Sequence, residues 1–503
     1  MAILSVWQYA GAAGIITVLL ILKYVFGENK ALAHVPNIRF KGSNSIKRYL
    51  FEADQLLHEG YTKLRSAIDP TKQVVVLPLK YLNEVKTAPQ DKFSFPKFSR
   101  ESFRVHTNHA PLITEEAQNS MKAELPKNLG PMIGALQDAS AIAIHDSGLI
   151  PDCSAGWTKV KPFEAITVAI IRMAHRALAG AELGTSEDWV HTVRQYLQKT
   201  NDAIVSSNIF FPGPLGYFAP FLDPNVRAVA QILKSWAKLL QPTYEQKLAL
   251  AEAGRGKGET DGLDWLMAAA KQGPKDIDGM INDLGFLTIA SVETTASTIL
   301  NILYDLVDNP PFLGRVMDEI STVQAAHGPR WTKGSLDALE YLDSLMKESQ
   351  RLRPLGMGAV HRSTGQTVTF KDGLSIPPDT QVLFPTHEIC HDDDFYPDAG
   401  TFDPERWLKM RRASPADHSR FQFSYISDTY VTMGAGTHAC PGRALASAEI
   451  KLILVHMLQR WDMRYGTADG RRPAVVPIAF SRIPDAKADM LFREKEEWRE
   501  HNC

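Results

Sequence analysis

Along most of this chain apolar residues recur every three or four positions, and that period predicts a mainly helical protein with a small β region. Helical patterns run from Ser45 to Arg65, Tyr81 to Thr87, Met132 to His145, Phe163 to Ala179 and Glu187 to Ser207. Others run from about Ile277 to Val307, from Tyr341 to Leu352, and onward from Pro441, where Leu445, Ala448, Leu452, Val455 and Leu458 share a face. Strand patterns are few: Gln73 to Leu77 after the Asp69-Pro70 turn, a hairpin of Val368 to Phe370 and Leu374 to Ile376, and Gln381 to Phe384. Phe93 to Pro111 has no period and predicts an irregular loop, and Gly254 to Gly262 predicts a polar surface linker. Phe210 to Pro214, continuing through Pro220-Phe221, is a Pro/Gly/aromatic connection.

The run from Val6 to Phe26 is apolar and long enough to cross a bilayer as a helix. No Lys or Arg precedes it, whereas Lys23, Lys30, Arg39, Lys41 and Arg48 follow, which places the remainder on the cytosolic side. A cleaved signal peptide would want a basic start and a small-residue cleavage site. The expectation is a membrane anchor over residues 1–30 and one globular unit over 31–503. The 503 residues carry a net charge of −2, so nucleic acid is not an expected partner, and 44% hydrophobic content suffices for a large core. The 4 cysteines, at 153, 390, 440 and 503, are too scattered for a disulfide framework and fit a reducing compartment.

Candidate chemistry centres on Gly434-Ala435-Gly436-Thr437-His438-Ala439-Cys440-Pro441-Gly442-Arg443. Pro441 suits a first helical turn, so Cys440 lies at or just before a helix N-terminus, where the dipole stabilises a thiolate. Gly434 and Gly436 allow a tight turn close to a flat ligand. A thiolate offered this way can be the axial ligand of a haem iron; a lone Cys, by contrast, is most often a small buried hydrophobe. A second landmark is Ala290-Ser291-Val292-Glu293-Thr294-Thr295 in the middle of a long helix. Leu287, Ala290, Ser291, Thr294 and Thr298 make a small, hydroxylated face there. A Thr hydroxyl can bond its own helix's carbonyls, and the adjacent acid can relay protons. The third is Glu348 and Arg351 on one helix face, followed by Phe402-Asp403-Pro404-Glu405-Arg406-Trp407.

These motifs, in this order and spacing, resemble the cytochrome P-450 family over essentially the whole chain, and Thr-His-Ala-Cys-Pro-Gly-Arg is most similar to fungal members near the ent-kaurene oxidase group. The resemblance implies a P-450 fold behind an N-terminal transmembrane helix and a haem b held by Cys440 as axial ligand. Gly434, Gly436, His438 and Arg362 would line the cofactor, with Arg362 (His361 as second choice) meeting a propionate. It implies Thr294 and Glu293 for proton delivery to dioxygen, and a scaffold ion network of Glu348, Arg351 and Arg406. Met357 to Val360 and the tail loop Ile478-Ala479-Phe480 would face the substrate. Three departures stand out. Met433 replaces the usual Phe and Ser291 the usual Gly. The family's Trp-x-x-x-Arg haem contact has no clear match either: Trp157 and Lys161 keep only the spacing, which leaves a second propionate partner unassigned.

The implied reaction is insertion of one oxygen atom from O2 into an apolar small molecule, a terpenoid or other secondary metabolite. Electrons would come from NADPH through a separate flavin-bearing reductase, because this chain has no dinucleotide fingerprint of its own. The setting would be the endoplasmic reticulum membrane, with a single span and the catalytic domain cytosolic. A haem-thiolate isomerase or dehydratase that uses no O2 is the alternative, and Glu293-Thr294 argues against it. A membrane-tethered helical binding protein is the remote one; it would purify colourless.

Overall fold

The computed structural model describes residues 32, 37–38, 46–61, 66–69, 72–145, 150–211, 213–253, 260–270, 276–478 and 480–502. The Val6–Phe26 run, and with it the anchor over residues 1–30, lies outside them. So do most of the Gly254–Gly262 linker, Ala479 and Cys503.

A 32-residue helix, Ile277–Asp308, runs through the middle of the molecule. Asp276 caps it by accepting the Gly279 N–H at 2.8 Å. Its most apolar stretch is long enough to span a membrane, but 61% of that stretch is buried inside the protein, so it is a core helix. Around it pack Pro162–Leu178, Arg443–Arg460, Pro224–Glu252 and Glu340–Leu352. The Glu115–His145 helix in turn packs on Pro162–Leu178, Gly262–Ala269 and Arg443–Arg460. The fold is mainly α, as the period predicts. Four sheets accompany the helices among the described residues. In the largest, the order is Asn37–Ile38, Ser66–Asp69, Lys72–Val76, Gln381–Phe384, Ala359–Thr364, Phe93–Ser94.

Two regions differ from the sequence expectation. Glu115–His145 is helical from Glu115, not from Met132, despite Pro126 and Pro131 inside it. A helix-interior proline removes a hydrogen bond and clashes with the preceding turn. Here Met121, Leu125, Leu129, Met132 and Leu136 are all buried in the main core, and that packing outweighs the local cost. The expected loop over Phe93–Pro111 instead contains the helix Phe95–Ser102 and a short one, Val105–Asn108. Ser94 caps the former by accepting the Lys97 N–H at 3.0 Å. What fixes it is tertiary: Phe95 lies 5.6 Å from the His438 ring, and Phe98 stacks on His361 at 4.7 Å.

Glu348 and Arg351, both fully buried, join two layers of the structure. Arg351 grips Glu348 with two hydrogen bonds of 2.7 and 2.9 Å and also reaches the Cys390 and Ala399 carbonyls. Arg406 Nε at 3.1 Å, Trp407 Nε1 at 3.0 Å and the Asp403 N–H at 3.2 Å also donate to the carboxylate. Pairing repays desolvation here only while every member is present. Glu348→Ala therefore leaves Arg351 buried without its counterion and costs about 3–5 kcal/mol, read as a lowered urea midpoint or loss of folded protein.

Candidate active site

The Cys440 loop is fastened at several points. Gly434 and Gly436 have φ of 80° and 63°, left-handed values that glycine adopts without a Cβ penalty. At Gly436 any side chain is also excluded, because a Cβ would sit 2.0 Å from the Lys86 carbonyl oxygen. That same oxygen accepts the Thr437 N–H at 3.1 Å. Cys440 N–H donates to Met433 O at 2.9 Å, and Arg443 Nη1 donates to Cys440 O at 2.7 Å. The helix that follows begins at Arg443, two residues later than Pro441 suggests. Burial raises the Cys440 thiol's pKa, while the Gly442 and Arg443 N–H groups and the Arg443 guanidinium pull it down. Those donors favour a thiolate ligand. Cys440 itself is exposed, as are Gly436 and Thr437 beside it.

Beside this loop sits a buried arginine with no protein carboxylate among the groups acting on it. Arg362 is 2% exposed, and burial lowers its pKa to about 10. Its Nη1 donates to His361 O at 2.7 Å, while Nη2 has no partner. Lys122, on the Glu115–His145 helix, donates to Thr437 O at 2.5 Å; burial and the neighbouring Arg362 charge lower its pKa. His438 Nδ1 is buried and unpaired, and burial, Arg362 and Lys122 hold its pKa at about 4, so the ring is neutral. Three nitrogen donors thus converge above the cysteine loop with two orphaned buried atoms. An unpartnered buried donor is costly, and two carboxylates would satisfy these. The residues fit an iron protoporphyrin: Cys440 would hold its iron, and Arg362, Lys122 and His438 would meet its propionates.

The central helix supplies another wall. Ala290 and Thr294 are exposed in the middle of a helix whose ends flank them with long buried stretches. Thr294 Oγ1 donates to Ala290 O at 2.7 Å, and Thr298 Oγ1 bonds Thr294 O at 2.8 Å. Ser291 Oγ makes only a 3.4 Å contact with Thr288 O. Glu293 accepts a 2.6 Å hydrogen bond from Asn201 Nδ2 on the Glu187–Phe210 helix, so the two helices touch next to Thr294. Burial raises the Glu293 pKa, and the Asn201 bond moderates the rise. Met357 N–H donates to Phe480 O at 2.7 Å, which brings together the two segments expected to face substrate.

The Cytochrome P450 family model matches residues 149–488. The chain belongs to the cytochrome P-450 family. It is 38% identical to the cytochrome P450 monooxygenase cheE of Chaetomium globosum over 93% of this chain and 92% of that one. Identity to the cytochrome P450 monooxygenase CYP2 of Pyricularia oryzae is 34%, over 86% and 89%. To the pyrichalasin C-7 hydroxylase of Pyricularia grisea it is 29%, over 88% and 89%. The retinoic-acid-bound cyanobacterial CYP120A1 shares the fold at a TM-score of 0.67 and 19% identity, covering 92% of this chain and 99% of that one. This P-450 is an oxygen-incorporating oxidoreductase of fungal type, and the family brings haem b and a redox partner with it.

Sequence reading missed Lys122 and Asn201. Lys122 follows Gln118 at the four-residue spacing of the family's Trp-x-x-x-Arg, but both residue types have changed, so only the spacing could have signalled it. Trp157 is elsewhere, between the Arg464 and Arg493 guanidiniums at 4.2 and 4.8 Å. Asn201 carries no sequence signal; only the helix crossing gives it a partner. Lys122→Met removes one charge-assisted contact and weakens haem retention about tenfold, measured as the haem-to-protein absorbance ratio after gel filtration.

Proposed function

We propose that this P-450 hydroxylates, or otherwise inserts one oxygen atom from O2 into, an apolar secondary metabolite at the endoplasmic reticulum membrane. NADPH supplies the electrons through a separate flavin-bearing reductase. The observation carrying this reading is the Cys440 loop set under the Arg362, Lys122 and His438 donors, in a chain whose central helix opens at Thr294. The balance is R–H + O2 + two electrons + two protons giving R–OH and water. Haem held through Cys440 would supply the O2 chemistry, and the Cys440 thiolate would be its electron-donating ligand.

The protein's share is placement and protons. Thr294 spends its own proton on Ala290 O in the resting geometry, leaving the hydroxyl oxygen free to accept a hydrogen bond from a water or substrate in the opening. Glu293 holds a proton more readily than an exposed carboxyl and can pass it along that face. Ala290 keeps the wall low beside them. Relatives named as monooxygenases and as a hydroxylase support regioselective oxidation of a fungal metabolite. The terpenoid class rests on the resemblance to ent-kaurene oxidase-like enzymes.

Membrane attachment has two supports. One is the apolar Val6–Phe26 run. The other is an exposed cluster between the Glu187–Phe210 and Pro224–Glu252 helices: Phe210, Tyr217, Phe218, Phe221 and Leu222, of which Phe221 is 74% exposed. So much clustered aromatic and aliphatic surface suits burial at a lipid interface.

Turnover under isotope-labelled O2 with reductase and NADPH tests the reading: one labelled oxygen per product supports it, and product formed without O2 overturns it. Thr294→Ala is expected to keep NADPH consumption while losing most product, measured as product per NADPH. Proton delivery by Glu293 predicts a coupling efficiency that falls as pH rises through its pKa. Asn201→Leu, which deletes the bond favouring the carboxylate, shifts that fall to higher pH, and Glu293→Gln abolishes it.

A further inference from the structure

The strand that presents Arg362 is irregular. Ala359 pairs with Phe384 and Arg362 with Val382, so Val360 and His361 together stand opposite Leu383 alone. Two residues against one is a β-bulge. In an unbroken strand, residues three apart point to opposite faces. The extra residue puts Ala359 and Arg362 on the same face, and with it Arg362 on its present side of the sheet.

The bulge is strained. Val360 has a φ of 53°, the left-handed region that bulges of this kind ordinarily fill with glycine, and it is β-branched. Such a conformation persists only where its surroundings over-determine it. His361 does this. Its Nε2–H donates to Gly358 O at 3.1 Å, across the bulge, and its ring lies flat on Phe98, 4.7 Å away at 14°. Burial keeps the ring neutral, with a pKa of about 4, so the donor is a neutral N–H. The carbonyl of the same residue accepts Arg362 Nη1 at 2.7 Å, leaving Nη2 unpartnered. The orientation of the guanidinium therefore follows the orientation of the His361 peptide.

We propose that His361 is a positioning residue: it braces the left-handed bulge at Val360 and through its own carbonyl aims Arg362, and it is not itself a propionate partner. This rests on the reading of Arg362 as the propionate partner.

The test is a double-mutant cycle on the purified holoenzyme, read as the rate of haem transfer to apomyoglobin, with far-UV circular dichroism as the check of fold. Arg362→Ala accelerates transfer about tenfold, as expected for loss of a charge-assisted bond. His361→Phe keeps the stack on Phe98 but loses the N–H, and accelerates it about fivefold. Their combination is no faster than Arg362→Ala alone, because the brace acts only through the arginine. Val360→Gly added to His361→Phe slows transfer again, since glycine takes the left-handed backbone unaided. His361→Gln, which retains an Nε2 donor, stays near the wild-type rate and serves if the Phe variant does not fold. Multiplying effects in the double variant, an unchanged rate in His361→Phe, or no slowing by Val360→Gly each overturn the brace while Arg362 keeps its role. An unchanged rate in Arg362→Ala overturns the propionate reading and the brace together.

Discussion

Buried positive charge without a protein counterion is the constraint around which this structure is arranged. Glu348 shows what the fold does when it supplies both signs: Arg351, Arg406, Trp407 and a backbone N–H surround one carboxylate until it is fully satisfied. At Arg362 the fold does the opposite. No carboxylate is among the groups that shift its pKa; burial alone does so. Lys122 adds to the positive field instead of relieving it, and that field helps keep the His438 ring neutral. Leaving charge so placed is expensive, and a dianionic ligand at the site would offset it.

The same constraint explains why so many distant segments meet at the Cys440 loop. Lys86 O excludes a side chain at Gly436 and accepts Thr437 N–H. Lys122 reaches Thr437 O from the Glu115–His145 helix, and Phe95 packs on His438 from a helix of its own. Each contact helps to hold the backbone that offers the Cys440 thiol. Opposite demands apply at the central helix, which needs an opening. Small residues and back-bonded threonines give it one at Ala290 and Thr294.

Much of this was legible in the sequence because it is local. The central helix was bounded within a residue of its end, and Gln381–Phe384 matches residue for residue, since periodicity and turn residues act over short range. The cysteine loop was legible because its glycines and its cysteine sit together. What escaped depends on partners remote in sequence. The helix through Pro126 and Pro131 breaks local rules and is held by core packing. Phe95–Ser102 lacks a clear period and is fixed by two histidines far along the chain. Lys122 meets the cysteine loop across 315 residues of sequence, and Asn201 finds its partner only where its helix meets the central one.

The measurement that bears most directly on the central claim is the absorption spectrum of the reduced, carbon-monoxide-bound protein, taken beside Cys440→Ala. A strongly red-shifted Soret band in the wild type, absent from the variant, is the predicted result and marks thiolate-ligated haem. A folded wild-type protein that shows no such band, or a variant that keeps it, would contradict the assignment of Cys440 and the reading of the site built on it.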